Sequence, residues 1–143
     1  MDNVLAARYA SRPMVEIWSP EARVVLERQL WVTVLEAQQH LGLEVDNSVI
    51  ADYRAVIDQV DLASIRAREE ATRHDVKARL EEFCSLAGHE QVHKGMTSRD
   101  LTENVEQLQI RQSLEVILDR IVASLARLAR LAAEYSQLVI AGR

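Results

Sequence analysis

From Leu114 onward apolar residues recur at alternating intervals of four and three: Leu114, Leu118, Ile121, Leu125, Leu128, Ala132 and Tyr135. That is the heptad pattern of a helix with one continuous apolar seam. Between Leu114 and Leu138 such a helix is about 37 Å long at 1.5 Å per residue. Val116, Ile117, Val122 and Leu131 lie off the stripe, so the helix is apolar over much of its circumference and belongs inside a bundle. The helices predicted before it are shorter and carry apolar faces for one another. A seam of this length without an equally long partner in its own chain predicts partners elsewhere, in other subunits or in further sequence. An ordinary two-helix contact with one apolar flank is the plainer alternative.

The rest of the 143-residue chain agrees with a helical class. It has four glycines and two prolines, about 4% of the chain where an average protein has roughly 12%. Sheets and loop-rich folds need those turn residues. Aromatic residues make up only 4% and there are 18 alanines, so the expectation is an all-α fold with a core of Leu, Val, Ile and Ala. A net charge of −5 works against nucleic acid or an anionic membrane as partner. Any anion site must then be a local cluster. The single Cys84 excludes an internal disulfide and a multi-cysteine zinc site, and no metal is expected. No export signal and no run of ~18 apolar residues is visible. The chain reads as soluble and cytoplasmic.

Residues 1–12 show no period, and Pro13 opens a short turn through Trp18. Ser19-Pro20-Glu21 reads as a helix start, with hydroxyl cap, proline in the first turn and an acid at the positive dipole end. Gly42 is its natural stop. Asp46 or Asn47 begins a second helix carrying Ile50, Tyr53, Val56, Ile57 and Val60, and Asp61 a third. Thr72 is placed to cap a fourth helix that ends at Gly88. Residues 88–97 read as a polar loop, and from Ser98 the helical period runs almost to the end. Its stripe changes after Arg111-Gln112, predicting a kink or domain seam near residue 112. The apolar run Leu138-Val139-Ile140 close to the last residue suggests a chain cut from something longer.

Three spots combine hydroxyl, imidazole and guanidinium groups near helix starts. Arg8-Tyr9 suits bidentate recognition of phosphate or carboxylate, although a surface Arg beside a partly buried Tyr explains the pair as well. Arg73-His74-Asp75 sits where five basic residues (Arg66, Arg68, Arg73, Lys77, Arg79) face three acidic ones. Backbone N–H groups, the helix dipole and Arg73 could hold an anion there, with His74 as donor or proton relay. A simple capping arrangement of Thr72 and Asp75 is the alternative. In the stretch from His93 to Asp100, Gly95 permits close backbone approach, and Thr97 and Ser98 set two hydroxyls at the mouth of the long helix. A carboxylate is well served there, though Thr97-x-x-Asp100 is also an ordinary capping pattern. His40 and His89 have no supporting context and read as structural.

In these spots taken together, the chain resembles the N-terminal part of the adenylosuccinate lyases of the fumarase/aspartase superfamily. Four stretches carry the likeness: Arg8-Tyr9-Ala10-Ser11 with Met14 and Ile17-Trp18-Ser19; Arg73-His74-Asp75-Val76-Lys77-Ala78; the run from His93 through Lys94, Gly95, Met96, Thr97, Ser98 and Arg99 to Asp100, with Asn104; and Ala141-Gly142-Arg143. They stand in family order across essentially the whole chain. Other superfamily members share the Thr-Ser region more readily than the Arg-His-Asp one, which favours this branch over argininosuccinate lyase, fumarase or aspartase.

The resemblance implies an N-terminal helical domain over 1–111 and the start of a central helical-bundle domain over 112–143. It implies cofactor-free elimination of fumarate from adenylosuccinate, giving AMP, and from the succinyl-carboxamide ribotide of purine synthesis. It implies that Arg8 and Tyr9 contact the nucleotide and that Arg73, His74 and Asp75 line the same pocket. His74 would lie near the phosphate or assist proton transfer, and Thr97 and Ser98 would hold the succinyl part. It further implies a homotetramer whose sites draw on three subunits. In the family a Ser or Thr and then the general-acid histidine follow Gly-Arg, and the loop with the serine base lies much further on. This chain ends at Arg143, before both, so on its own it is expected to be inactive. A different superfamily lyase, or a helical oligomerisation module without a ligand, are the alternatives.

Overall fold

The computed structural model describes residues 4–142, so Arg143, the last residue of the fourth family-like stretch, lies outside the described residues. Among them the chain forms seven helices and no strand: α1 (Val4–Tyr9), α2 (Arg12–Ile17), α3 (Pro20–His40), α4 (Asn47–Ala55), α5 (Leu62–Thr72), α6 (Asp75–Ala87) and α7 (Ser98–Glu134). The all-α expectation holds, and no described helix is long and apolar enough to cross a membrane. The short α1 departs from the aperiodic tail expected for residues 1–12. Six residues are too few for an apolar period to show.

Local chemistry explains most boundaries. The Ser19 hydroxyl accepts from the Ala22 N–H and Pro20 opens α3. Asp61 accepts from the N–H groups of Ala63 and Ser64 at the start of α5. Gly88 closes α6 at φ 76°, a conformation that would strain any side chain. The α4 boundary differs from expectation, because the helix stops at Ala55 and leaves Val56, Ile57 and Val60 outside it. The cause is the fully buried Arg28 of α3. Its Nη1 donates to the carbonyls of Val56 and Ile57 at 2.8 and 2.9 Å, and its Nη2 pairs with the buried Glu82 of α6. Glu82 in turn accepts from the Asp61 N–H at 3.2 Å. One guanidinium and one carboxylate thus pin the whole α4–α5 connection.

The core is not the purely aliphatic one expected from composition. Trp31, Tyr53 and Phe83 are fully buried at its centre, with Leu35 and Leu101 beside them. Trp31 stacks on Phe83 with ring centroids 6.0 Å apart, and Tyr53 packs on Phe83 at 4.9 Å. Few rings suffice because each fills the volume of two smaller side chains. Val24, Ile65 and Ala78 form a second cluster joining α3, α5 and α6.

α7 runs unbroken through residue 112, so the change of stripe there is not a helix end. Leu101, Val105 and Gln109 are buried against the chain. α2 docks alongside: Gln109 Nε2 donates to the Ile17 carbonyl at 2.7 Å, and Trp18 Nε1 to Ser113 Oγ at 2.9 Å. From Ile117 to Arg130 every residue is exposed, including Leu118, Ile121, Leu125 and Leu128. Tyr135 caps the helix and Leu138 lies beyond it, so the seam is shorter than the heptad pattern predicts.

Candidate functional site

The Arg73-His74-Asp75 stretch forms the sharp junction between α5 and α6. Thr72 does not cap α6 as expected; it is the last residue of α5, and its hydroxyl donates to the His74 carbonyl at 3.2 Å. The cap is His74 itself, whose Nδ1 accepts from the Lys77 N–H at 3.2 Å. An imidazole nitrogen that accepts carries no proton, so neutral His74 holds its hydrogen on Nε2. Sequence reading missed this because histidine is not among the usual capping residues.

Arg73 takes the left-handed conformation, φ 54° and ψ 29°, that ends α5. Glycine is the usual occupant of such a position. An arginine in that conformation carries a backbone cost that glycine would not. Arg73→Gly is expected to stabilise the chain by about 0.5–1 kcal/mol while weakening anion binding; urea unfolding and phosphate titration of the same variant measure both effects. Asp75 begins α6, with Oδ2 2.9 Å from Arg79 Nη2. Partial burial pushes its carboxyl up, but the Arg79 hydrogen bond, the Val76 N–H and the neighbouring charges outweigh it and hold the pKa below the usual range. Arg79 also lies 2.5 Å from the buried Glu27 of α3, so the junction is tied to the core by charge.

Thr97 and Asp100 close the start of α7 with a reciprocal capping box. The Thr97 N–H donates to Asp100 Oδ2 at 2.7 Å, and the Asp100 N–H donates to Thr97 Oγ1 at 3.3 Å. The Thr97 hydroxyl also donates to Asp100, at 3.0 Å. The Thr97 N–H and then its hydroxyl hold the Asp100 carboxyl below its ordinary pKa. Thr97 is thus committed to its own helix. The half-buried Ser98 hydroxyl and the first-turn amides supply the donors at this mouth.

His93 stands between the two junctions. It has φ 69°, and its Nδ1 accepts from the indole N–H of the buried Trp31 at 2.9 Å. Burial lowers its pKa below 6.5; the Asp100 carboxylate pulls it up, and the charge of His74 pushes it down further. Both His74 and Asp100 are therefore close enough to act on the charge of His93. His93 thus couples the starts of α6 and α7 by charge into one polar corner, and free amides at a helix start favour an anion. Gln38 of α3 steadies the loop below by donating to the Lys94 carbonyl at 2.8 Å.

Arg8 and Tyr9 line none of the cavities described for this chain together with the other candidates. Both are exposed on α1, Tyr9 by 77%, and the α2 that follows docks at Gln109 and Ser113. Those positions are roughly 17–22 Å along α7 from Ser98. A cleft of about 490 Å³ lined by Arg23, Arg66, Glu69 and Glu106, among others, includes none of the seven candidate residues. Among the described residues no group of three or more His, Cys, Asp and Glu side chains could hold a metal ion.

The fold and the polar corner define an all-α chain consistent with a domain of a helical lyase. No family model matches it. Its sequence kinship is with the adenylosuccinate lyases. It is 33% identical to the adenylosuccinate lyase of Schistosoma mansoni over 99% of this chain and 30% of that protein. The corresponding figures are 33%, 96% and 30% for the enzyme of Saccharomyces cerevisiae, and 29%, 95% and 30% for that of Methanocaldococcus jannaschii. The chain thus spans about 30% of the length of the relatives it matches, in keeping with the N-terminal portion of the enzyme.

Proposed function

We propose that the chain supplies substrate-binding elements of a cytoplasmic adenylosuccinate lyase. The complete enzyme would cleave a C–N bond by elimination, releasing fumarate from adenylosuccinate to leave AMP, and act likewise on the succinyl-carboxamide ribotide. Proton removal beside a carboxylate builds charge on that carboxylate, and fixed donors must meet it. Ser98 and the first amides of α7 would hold the succinyl part, with Thr97 joining them once its hydroxyl proton turns from Asp100 to the ligand. Arg73, His74 and Asp75 would line the same pocket, with His74 near the phosphate or assisting proton transfer. No cofactor is needed for this chemistry. The observation that supports this reading is that His93, held by Trp31, feels the charges of both His74 at the start of α6 and Asp100 at the start of α7.

Arg8 and Tyr9 would then contact nucleotide in a pocket completed by another copy, as a homotetramer with shared sites requires. In that reading residues 1–111 form the N-terminal helical domain and α7 enters the central bundle from residue 112. The 143-residue chain alone would not turn over, since the resemblance puts acid and base in sequence it does not contain. The exposed seam from Leu114 to Leu128 also favours a second reading, an oligomerisation module without a ligand.

Adenylosuccinate binding separates the two. Titration calorimetry is expected to show adenylosuccinate and AMP binding, with argininosuccinate inert, and Ser98→Ala weakening adenylosuccinate by roughly ten-fold through loss of a hydrogen bond to a charged group. Self-association with no response to either nucleotide would leave only the module. Fumarate release by the purified chain would overturn the predicted inactivity.

A further inference from the structure

We propose that Trp31 is a positioning residue of this corner: its buried indole N–H holds His93 with the proton on Nε2, so that His93 offers a fixed donor to an anionic oxygen between α6 and α7. This rests on the corner being the ligand site. An indole nitrogen can only donate, so the 2.9 Å bond to Nδ1 requires Nδ1 to be unprotonated. Neutral His93 then has one tautomer available, and its Nε2–H points to the side of the ring away from the indole. Protonating Nδ1 would break the bond and strand a donor on a side chain that has no exposed surface. The imidazole is therefore kept neutral as well as oriented.

Two further observations fit a held ring. His93 adopts φ 69°, an uncommon conformation for a residue with a side chain, which persists only where the surroundings hold it. Its ring also meets Trp31 edge-on, with centroids 5.8 Å apart, while the indole is itself stacked on Phe83. The charged and titratable groups acting on His93 are Asp100 from α7 and His74 from α6. Asp100 favours the imidazolium; burial and His74 oppose it. The Trp31 bond adds to the second side, so a neutral donor persists at pH values where an ordinary histidine is partly charged.

Long-range proton–nitrogen correlation spectra of the ligand-free chain test this directly. His93 is expected to show an unprotonated Nδ1 and a protonated Nε2 in its neutral form, from pH 7.5 to 8.5, with its titration midpoint below 6.5. In Trp31→Phe, which keeps a ring on Phe83 and loses the N–H, the two tautomers should mix and the midpoint should rise. AMP affinity should fall several-fold with helicity unchanged. A wild-type His93 carrying its proton on Nδ1, or titrating at 6.5 or above, would overturn the proposal, and that measurement stands even if the variant does not fold. An unchanged tautomer, or unchanged AMP affinity, in a folded Trp31→Phe would overturn it too. The tautomer is read without ligand, so absent nucleotide binding in the wild type counts against the function instead.

Discussion

Glu82→Leu is expected to cost about 3–5 kcal/mol, because it leaves the Arg28 guanidinium charged and unpaired in the core. A domain of this size has only about 5–15 kcal/mol of stability in total, so urea unfolding should show a chain unfolded at low denaturant. The pair is wholly buried, with side chains 0% and 2% exposed. Arg28 lies over Phe83, 4.9 Å from its ring centroid, and also holds the carbonyls of Val56 and Ile57. Arg28→Met with Glu82→Leu removes both charges and should recover much of the loss. Recovery will be incomplete, because the Val56 and Ile57 carbonyls and the Asp61 N–H lose their partners. The exposed i,i+4 pair of Arg99 and Glu103 provides the contrast. Removing it should change stability by less than about 1 kcal/mol. A Glu82→Leu chain as stable as the parent would show that the buried charges do not organise the α4–α5 connection.

The second large effect lies on the far half of α7. Leu118 and Leu125 are 59% exposed and Leu128 is 61% exposed, on a helix whose stripe suits a bundle interior. Sedimentation velocity at increasing concentration is expected to show self-association of the wild type. Leu118→Glu with Leu125→Glu should leave a monomer of unchanged core. Burying a leucine is worth about 1.5–3 kcal/mol, so losing two weakens association by at least roughly a hundred-fold. A wild type that stays monomeric at high concentration would sink the prediction.

Much of this fold was legible where a local rule decides it. Ser19-Pro20, Asp61, Gly88 and the Thr97-x-x-Asp100 box act within a few residues of where they stand, and each marks the boundary the structure has. The end of α4 was not legible, because the group that ends it is Arg28, on another helix. The centre of the core was misjudged because composition counts residues, whereas packing counts volume, and Trp31, Tyr53 and Phe83 fill it. At the candidate site, motif spacing located the start of α7 and came within two residues of the start of α6. It did not reveal that His74 caps its own helix, nor that His93 is held by Trp31, 62 positions earlier in the chain. No periodicity links residues so far apart. Arg8 and Tyr9 are the converse case, since the motif groups them with the other candidates while both stand exposed on the short α1.

One unbroken helix carries both Ser98 and the bare leucines of its distal half. It acts as a lever about 55 Å long. A tilt of five degrees where neighbours grip the distal end would swing Ser98, on an arm of about 30 Å, by roughly 2.5 Å. A displacement of that size separates a hydroxyl in bonding range from one that is out of reach. Under the proposed function, quaternary alignment and ligand grip would be one mechanical variable, and a substitution far out on the rod would detune the pocket without touching it.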